Sequence, residues 1–369
     1  MLEKTCADQL LQLADNGKTE MLEGLFGILS INSERGEPVK GAPYGPGPKK
    51  ALDKTLKLAE SLGFATETVL DQAGIAKYEP EGTAGEPYIG VVGHLDVVPA
   101  EGNWTTPPYE PQIRNNRIHA RGALDNKGPV ISCLYALKAI KDSGIRLKRP
   151  VWIIFGTNEE TGMEDIPAYL SVKEPPVAGF TPDCKYPVVY AERGRSVYEL
   201  QFAGEEQAAA WHEAHPDEAS LKLDIRDPEF GILQLRNWKQ DGNTLTFAAS
   251  YPPATNAQKI LDILRESLPE DTQAKLVSDW KPVFFKKEGP LCASLQWAYE
   301  TVTGFDGTPV TTTGGTYAKR LPNIVPFGPS FPGQKGIAHL PDEWMDVDDL
   351  VANMKIYALA MADLATREL

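Results

Sequence analysis

Apolar positions in the first half of the chain alternate between helical and strand periods. Leu52, Leu56, Ala59 and Leu62 recur at helical spacing, and Gly63 directly after them predicts a helix stop. Residues 88–92 form a short apolar run that enters Gly93-His94-Leu95-Asp96, the pattern of a buried strand ending in a polar loop. Residues 113–118 predict a hairpin, because Asn115 and Asn116 tolerate the positive φ angles of a two-residue turn. A helix follows over residues 128–141, with Val130, Leu134, Leu137 and Ile140 on its buried face and Gly144 as its stop. Residues 151–155 then read as a second buried strand, followed at once by Gly156-Thr157-Asn158-Glu159-Glu160. Helices alternating with buried strands predict a doubly wound α/β domain.

Near residue 195 the period changes to two. Tyr198, Leu200 and Phe202 alternate with polar residues, as do Leu221, Leu223 and Ile225, and later Leu245 and Phe247, which predicts half-exposed antiparallel strands. With helices expected over 205–213 and 256–268, residues 195–288 form a small α+β insert. After Pro290 the α/β texture returns and closes with a helix from Asp346 onward, burying Leu350, Met354, Tyr357 and Met361. The expected organisation is a discontinuous catalytic domain, residues 1–194 and 289–369, interrupted by the insert.

Composition narrows the function classes. A net charge of −14 over 369 residues disfavours nucleic acid as a partner, since polyanions bind basic surfaces. No apolar run approaches the roughly 18 residues that span a bilayer, and residues 1–20 are charged throughout, so the expected location is the cytoplasm, with no membrane partner. Cys6, Cys133, Cys184 and Cys292 are scattered without a paired spacing and read as reduced thiols.

The candidate chemistry collects at strand ends. His94 and Asp96 leave the same side of the first strand end, so the carboxylate can orient the imidazole. Taken singly, a polar pair at a strand end and an N-cap are the ordinary readings of His94-Asp96 and of Asp125. Adjacent Glu159 and Glu160, following five apolar residues and a turn, repel one another unless a cation or a shared proton relieves them. Asp183 follows another short apolar stretch, and His339 precedes the last helix. In open α/β sheets ligands bind beyond the carboxyl ends of strands, and all of these are expected at such an end or in a neighbouring loop. Two histidines with several carboxylates suit zinc, with cobalt or manganese as substitutes.

The strings GHLDVVP, ARGALDNKGP, FGTNEETG, TPDCKYPVVYAERG, TTTGGTY and PFGPSFPGQKGIAHLPDEW resemble, in order and context, those of the di-zinc metallopeptidases that include aminoacylase, carboxypeptidase G, succinyl-diaminopimelate desuccinylase and the bacterial dipeptidases. Within that family the chain is most similar to the dipeptidase V group, of Xaa-His dipeptidase type. The resemblance implies a zinc-peptidase-like catalytic domain, its mixed sheet flanked by helices, plus a small α+β lid. It further implies two Zn2+ ions, one held by His94 and Asp183 and the other by Glu160 and His339, with Asp125 bridging them and Asp96 orienting His94. Glu159 would be the general base, Asp125-Asn126 a cis peptide, and Gly314-Gly315-Thr316 the substrate loop. The activity implied is hydrolysis of dipeptides or short peptides by a monomer or homodimer. Two alternatives are an N-acyl amino acid deacylase and a degenerate relative that binds metal and peptide without turnover.

The insert departs from the family pattern. No lid histidine stands in a matching string, leaving His119, His212 and His215 with structural readings, and Ser250-Tyr251-Pro252 stands where the family has Arg-Tyr-Pro. A serine cannot supply the guanidinium fork, for which Arg226 and Arg236 are the replacements at hand. At roughly 95 residues the insert matches one lid module rather than a doubled one.

Overall fold

A computed structural model describes residues 1–368. The chain divides into two compact units, a larger one of residues 1–189, 286–310 and 316–369 and a smaller one of residues 190–285 and 311–315.

In the larger unit a six-stranded sheet runs in the order Ala65–Val69, Ala73–Tyr78, Val151–Gly156, Ile89–His94, Ala178–Thr181, Ile324–Pro326. The last four strands are parallel, and the two preceding them add antiparallel pairings at one side, so the sheet is mixed. All six residues of Ile89–His94 are buried, which explains why its sequence reads as a continuous apolar run rather than an alternation. The helix Lys127–Ser143 packs on the helix Val347–Thr366 and on the central strand. Gly144, at φ +68°, closes the first of these helices in the left-handed conformation that its lack of a Cβ permits. The last helix buries Leu350, Met354, Tyr357 and Met361 as expected, but it is covered nearly all round, so its apolar face is wider than one stripe. Asn115 and Asn116 form the predicted turn at φ +51° and +62°.

The smaller unit is an antiparallel sheet in the order Gln234–Asp241, Thr244–Tyr251, Gly194–Gln201, Gln273–Trp280. Helices Glu205–Ala214 and Ala257–Ser267 bury Trp211, Ile260 and Leu264 in one cluster with Tyr198, Leu200 and Phe247. Leu221, Leu223 and Ile225 do not form the expected strand. Leu221 and Leu223 are buried in this core, but from a turn. The Asp217 carboxylate accepts the Ser220 amide, and Lys222 sits at φ +57°, which breaks an extended run. Only Arg226–Asp227 pairs in that stretch.

Among the described residues no helix is long and apolar enough to cross a membrane, and the four cysteines form no disulfide.

Candidate metal centre

His94 is the last residue of the central strand. Gly93 before it lets the neighbouring helix start approach, since a Cβ there would lie 2.5 Å from Asn126 Oδ1. Asn126 is shared between two site loops. Its Oδ1 accepts from the His94 amide at 3.3 Å and its Nδ2 donates to the Pro182 carbonyl at 2.6 Å, next to Asp183. The Asp125-Asn126 peptide is cis.

Five side chains named from the sequence converge. His94 Nε2 lies 3.1 Å from Asp125 Oδ1 and 3.6 Å from Asp183 Oδ2. His339 Nε2 lies 2.9 Å from the other oxygen of Asp125 and 3.2 Å from Glu160 Oε1. Asp125 therefore stands between two imidazoles, each facing one of its oxygens. Ligand atoms of His94, Glu159 and Asp183, and again of His94, Asp125 and Glu160, fall within 4.8 Å of one another, close enough to share a cation.

Asp96 meets His94 through both its backbone and its side chain. It is the Asp96 backbone carbonyl that lies 2.9 Å from His94 Nδ1, while its carboxylate stands at 3.5 Å. That carboxylate instead accepts the amides of Glu159 and Glu160, each at 3.1 Å. It thus fixes the backbone of the acid turn as well as facing the histidine.

Sequence reasoning passed over Glu343. Fully buried, it accepts the amides of Gly122, Leu124 and Asp125 through Oε1 at 2.9 to 3.1 Å and pairs with buried Arg121 through Oε2 at 2.7 Å. Arg121 also donates to the Leu340 carbonyl, so the pair joins the loop of Asp125 to the loop of His339. The signal was the acid at the end of HLPDE, but its partners lie more than 200 residues away in sequence.

The electrostatics are those of crowded acids. Burial, then repulsion from Asp183, pushes the Glu159 carboxyl well above the usual range, and burial with the Asp125 charge does the same to Asp183. Burial also opposes ionisation of Asp125, yet hydrogen bonds to His339 and His94 together outweigh it and hold this carboxyl well below the usual range. The bonds to Asp125 and Glu160 raise His339 to about 10. Glu160 Oε1 is buried, and the His339 ring nitrogen at 3.2 Å is too poorly aligned to satisfy it. A poorly satisfied buried oxygen among mutually repelling acids is the arrangement that bound cations relieve, so the residues present fit a dinuclear site.

Residues 90–363 match the family model described as peptidase family M20/M25/M40. The chain belongs to this peptidase family. A Bacillus subtilis (strain 168) protein named "Putative dipeptidase YtjP" is 28% identical over 458 aligned positions, covering 94% of this chain and 98% of that one. Human carnosine dipeptidase 1 superposes with a TM-score of 0.69 at 15% identity, covering 97% and 98% of the two chains. Dug1p of Saccharomyces cerevisiae, titled a dipeptidase, superposes at 0.70 with 13% identity, again over 97% and 98%. These structural likenesses carry the M20 fold, a mixed α/β sheet with helices.

Outside the cluster, the expected substrate loop is partly self-satisfied. The Gly314 amide donates to Thr312 Oγ1 at 3.3 Å, and buried Thr316 caps the short helix Tyr317–Lys319 by accepting the Ala318 amide. In the smaller unit, Ser250 is buried and its hydroxyl accepts from Arg193 Nε at 3.0 Å. Arg193 also donates to the carbonyls of Phe230, Ile232 and Ser250, so it ties strands of that unit together. Arg226 and Arg236 are exposed. His212 stacks on Trp238 at 4.5 Å, and His215 packs on Trp211 with Nδ1 at 2.8 Å from its carbonyl.

Proposed function

We propose that this M20 peptidase hydrolyses dipeptides or short peptides at a dinuclear centre in which His94 and Asp183 hold one cation, Glu160 and His339 the other, and Asp125 both. The observation that carries the reading is Asp125, with one oxygen toward each imidazole. The mixed nitrogen and carboxylate donors suit two Zn2+ ions, with Co2+ or Mn2+ as substitutes. Bound there, such ions supply an acidified water and polarise the scissile carbonyl.

The chain's own groups do the rest. Glu159 stands beside the ligand Glu160 on a turn whose two amides Asp96 holds. Its carboxylate takes the proton of the attacking water and returns it to the leaving amine. Glu343 and Asn126 keep Asp125, His94 and the Asp183 loop in place. The loop Gly314-Gly315-Thr316 binds the substrate carboxylate, as backbone N–H groups near glycines can. In this reading residues 1–194 and 289–369 carry catalysis, and residues 195–288 form the lid.

The test is a panel of dipeptides and N-acyl amino acids offered to the full chain loaded with Zn2+ or Co2+, with bound metal counted separately. Hydrolysis of dipeptides, lost on chelation and restored by either ion, is the expected result. Hydrolysis of N-acyl amino acids alone would make the protein a deacylase. Two bound ions with no compound turned over would leave only a metal-binding relative.

A further inference from the structure

A second buried carboxylate grips the acid turn. Asp165 is fully buried, and its Oδ2 accepts the amide of Thr157 at 2.7 Å and that of Asn158 at 3.1 Å. Asp96 accepts the next two amides, of Glu159 and Glu160. Four successive N–H groups, from 157 to 160, are therefore held by two acids, with no strand partner required. Asn158 closes the turn on itself, its Oδ1 accepting the Glu164 amide at 3.0 Å and its carbonyl the Met163 amide at 2.7 Å.

The same Asp165 oxygen also accepts the hydroxyl of Tyr317 at 2.5 Å. Tyr317 is fully buried and sets its ring edge-on to the His94 imidazole, with centroids 6.3 Å apart. Gly156 makes room for this contact. A Cβ there would lie 1.9 Å from the Tyr317 hydroxyl and 2.7 Å from Asp165 Oδ2. One hydroxyl-carboxylate pair thus touches the backbone that presents Glu159 and Glu160 and the ring that flanks His94. The arrangement spends a buried charge, since the other oxygen of Asp165 has no hydrogen-bond partner and burial pushes its carboxyl up to about 6.

We infer that Asp165 and Tyr317 are positioning residues for the proposed reaction, a pair that sets the approach of Glu159 and the aim of Glu160 without touching substrate. The inference rests on the dipeptidase reading above. Because transition-state geometry is lost faster than ground-state binding when a base is displaced, the effect falls on kcat more than on KM.

The experiment uses the full chain with Tyr317→Phe, Asp165→Asn and the double substitution, all near-isosteric. Steady-state rates are measured on whichever dipeptide the unmodified chain hydrolyses best, and the visible absorption of protein loaded with Co2+ alone is recorded. Each single variant should fold and lose kcat by about tenfold or more, with KM within roughly threefold and two Co2+ retained. The double variant should be no worse than the poorer single one, because the pair acts as a unit. The Co2+ bands should move in both single variants, since Glu160 is re-aimed. Folded single variants with kcat within about twofold of the unmodified chain would overturn the assignment. If the unmodified chain hydrolyses no dipeptide, the dipeptidase reading fails by itself. The Co2+ bands then decide, and unchanged bands in both single variants overturn the positioning role.

Discussion

If Asp165 is held as a charged group for the sake of the acid turn, replacing it by asparagine should stabilise the protein at neutral pH. Its carboxyl is raised from 3.8 to about 6, chiefly by burial and against the hydrogen bond from Tyr317. A folded-state value above the unfolded one means that, as pH falls through 6, the folded chain takes up a proton that the unfolded chain binds only near 3.8. The slope of stability with pH is therefore negative in that window, and the ionised group is a net cost above it. At about 1.4 kcal/mol per unit the cost is roughly 3 kcal/mol at pH 8. Asparagine keeps one oxygen for the amides of Thr157 and Asn158, but it places an NH2 where Oδ1 already lacks a partner, which takes back about 1 kcal/mol. The expected gain of Asp165→Asn is about 2 kcal/mol at pH 8, shrinking below about 1 kcal/mol at pH 5. Urea denaturation of chelator-treated protein at the two pH values measures it, with metal excluded so that binding does not enter the balance. A variant no more stable than the parent at pH 8, or a gap that does not shrink on acidification, refutes the reasoning.

Glu159→Gln should lower kcat by a factor on the order of 10² to 10⁴ while bound metal, counted by elemental analysis, stays at the unmodified level, since in the proposed reaction Glu159 is the base and Glu160 the ligand. Glu343→Ala leaves the Arg121 guanidinium buried without its carboxylate and strips three amides of their acceptor. A loss of about 3 to 5 kcal/mol in denaturant melts is expected, and a loss below about 1 kcal/mol would show that the pair is not stabilising the loop. Gly179→Ala would place a Cβ 1.7 Å from the Gly90 carbonyl oxygen of the adjacent parallel strand. The sheet must shift to accept it, at a cost of more than about 2 kcal/mol in the same melts.

The elements that position the site were legible because each is dominated by its own local pattern. Residues 88–92 and 151–155 are continuous apolar runs and became central parallel strands, while Gly63, Asn115-Asn116 and Gly144 mark backbone turns that few other residues allow. His94, Glu160 and Asp183 were candidates because they fall at strand ends of an open sheet, and the resemblance of the motif strings added Asp125 and His339 to them. Leu221, Leu223 and Ile225 misled for a definite reason. Alternating burial needs only a core on one side, and a turn with Lys222 in the left-handed region buries alternate residues as a strand does. Glu343 and Asp165 were not legible as site residues, since what distinguishes them is which amides they accept, and HLPDE and GMEDIP look like ordinary loop acids. Asp96 was half legible. Its spacing from His94 placed it correctly, but nothing in the spacing could tell its carbonyl from its carboxylate as the 2.9 Å partner of Nδ1.

These buried acids share one physical logic. The loops that carry Asp125, Glu159 and Glu160 lie beyond the ends of strands, in two different sheets, so their amides have no ladder partner, and an unpaired buried N–H costs free energy. Water could satisfy such amides, but a hydrated loop is free to move, and ligand atoms gathered within 4.8 Å demand a fixed one. A carboxylate resolves the conflict by accepting several N–H groups from one rigid point. Glu343 takes three of them, and Asp96 and Asp165 take two each. Each such acid adds negative charge beside a centre already crowded with it, and this is tolerable only where bound cations or a partner such as Arg121 offset the charge. The rigidity of the turn and the need for metal are thus two consequences of one choice, which is why loss of either should be felt first in the chemistry and only afterwards in the fold.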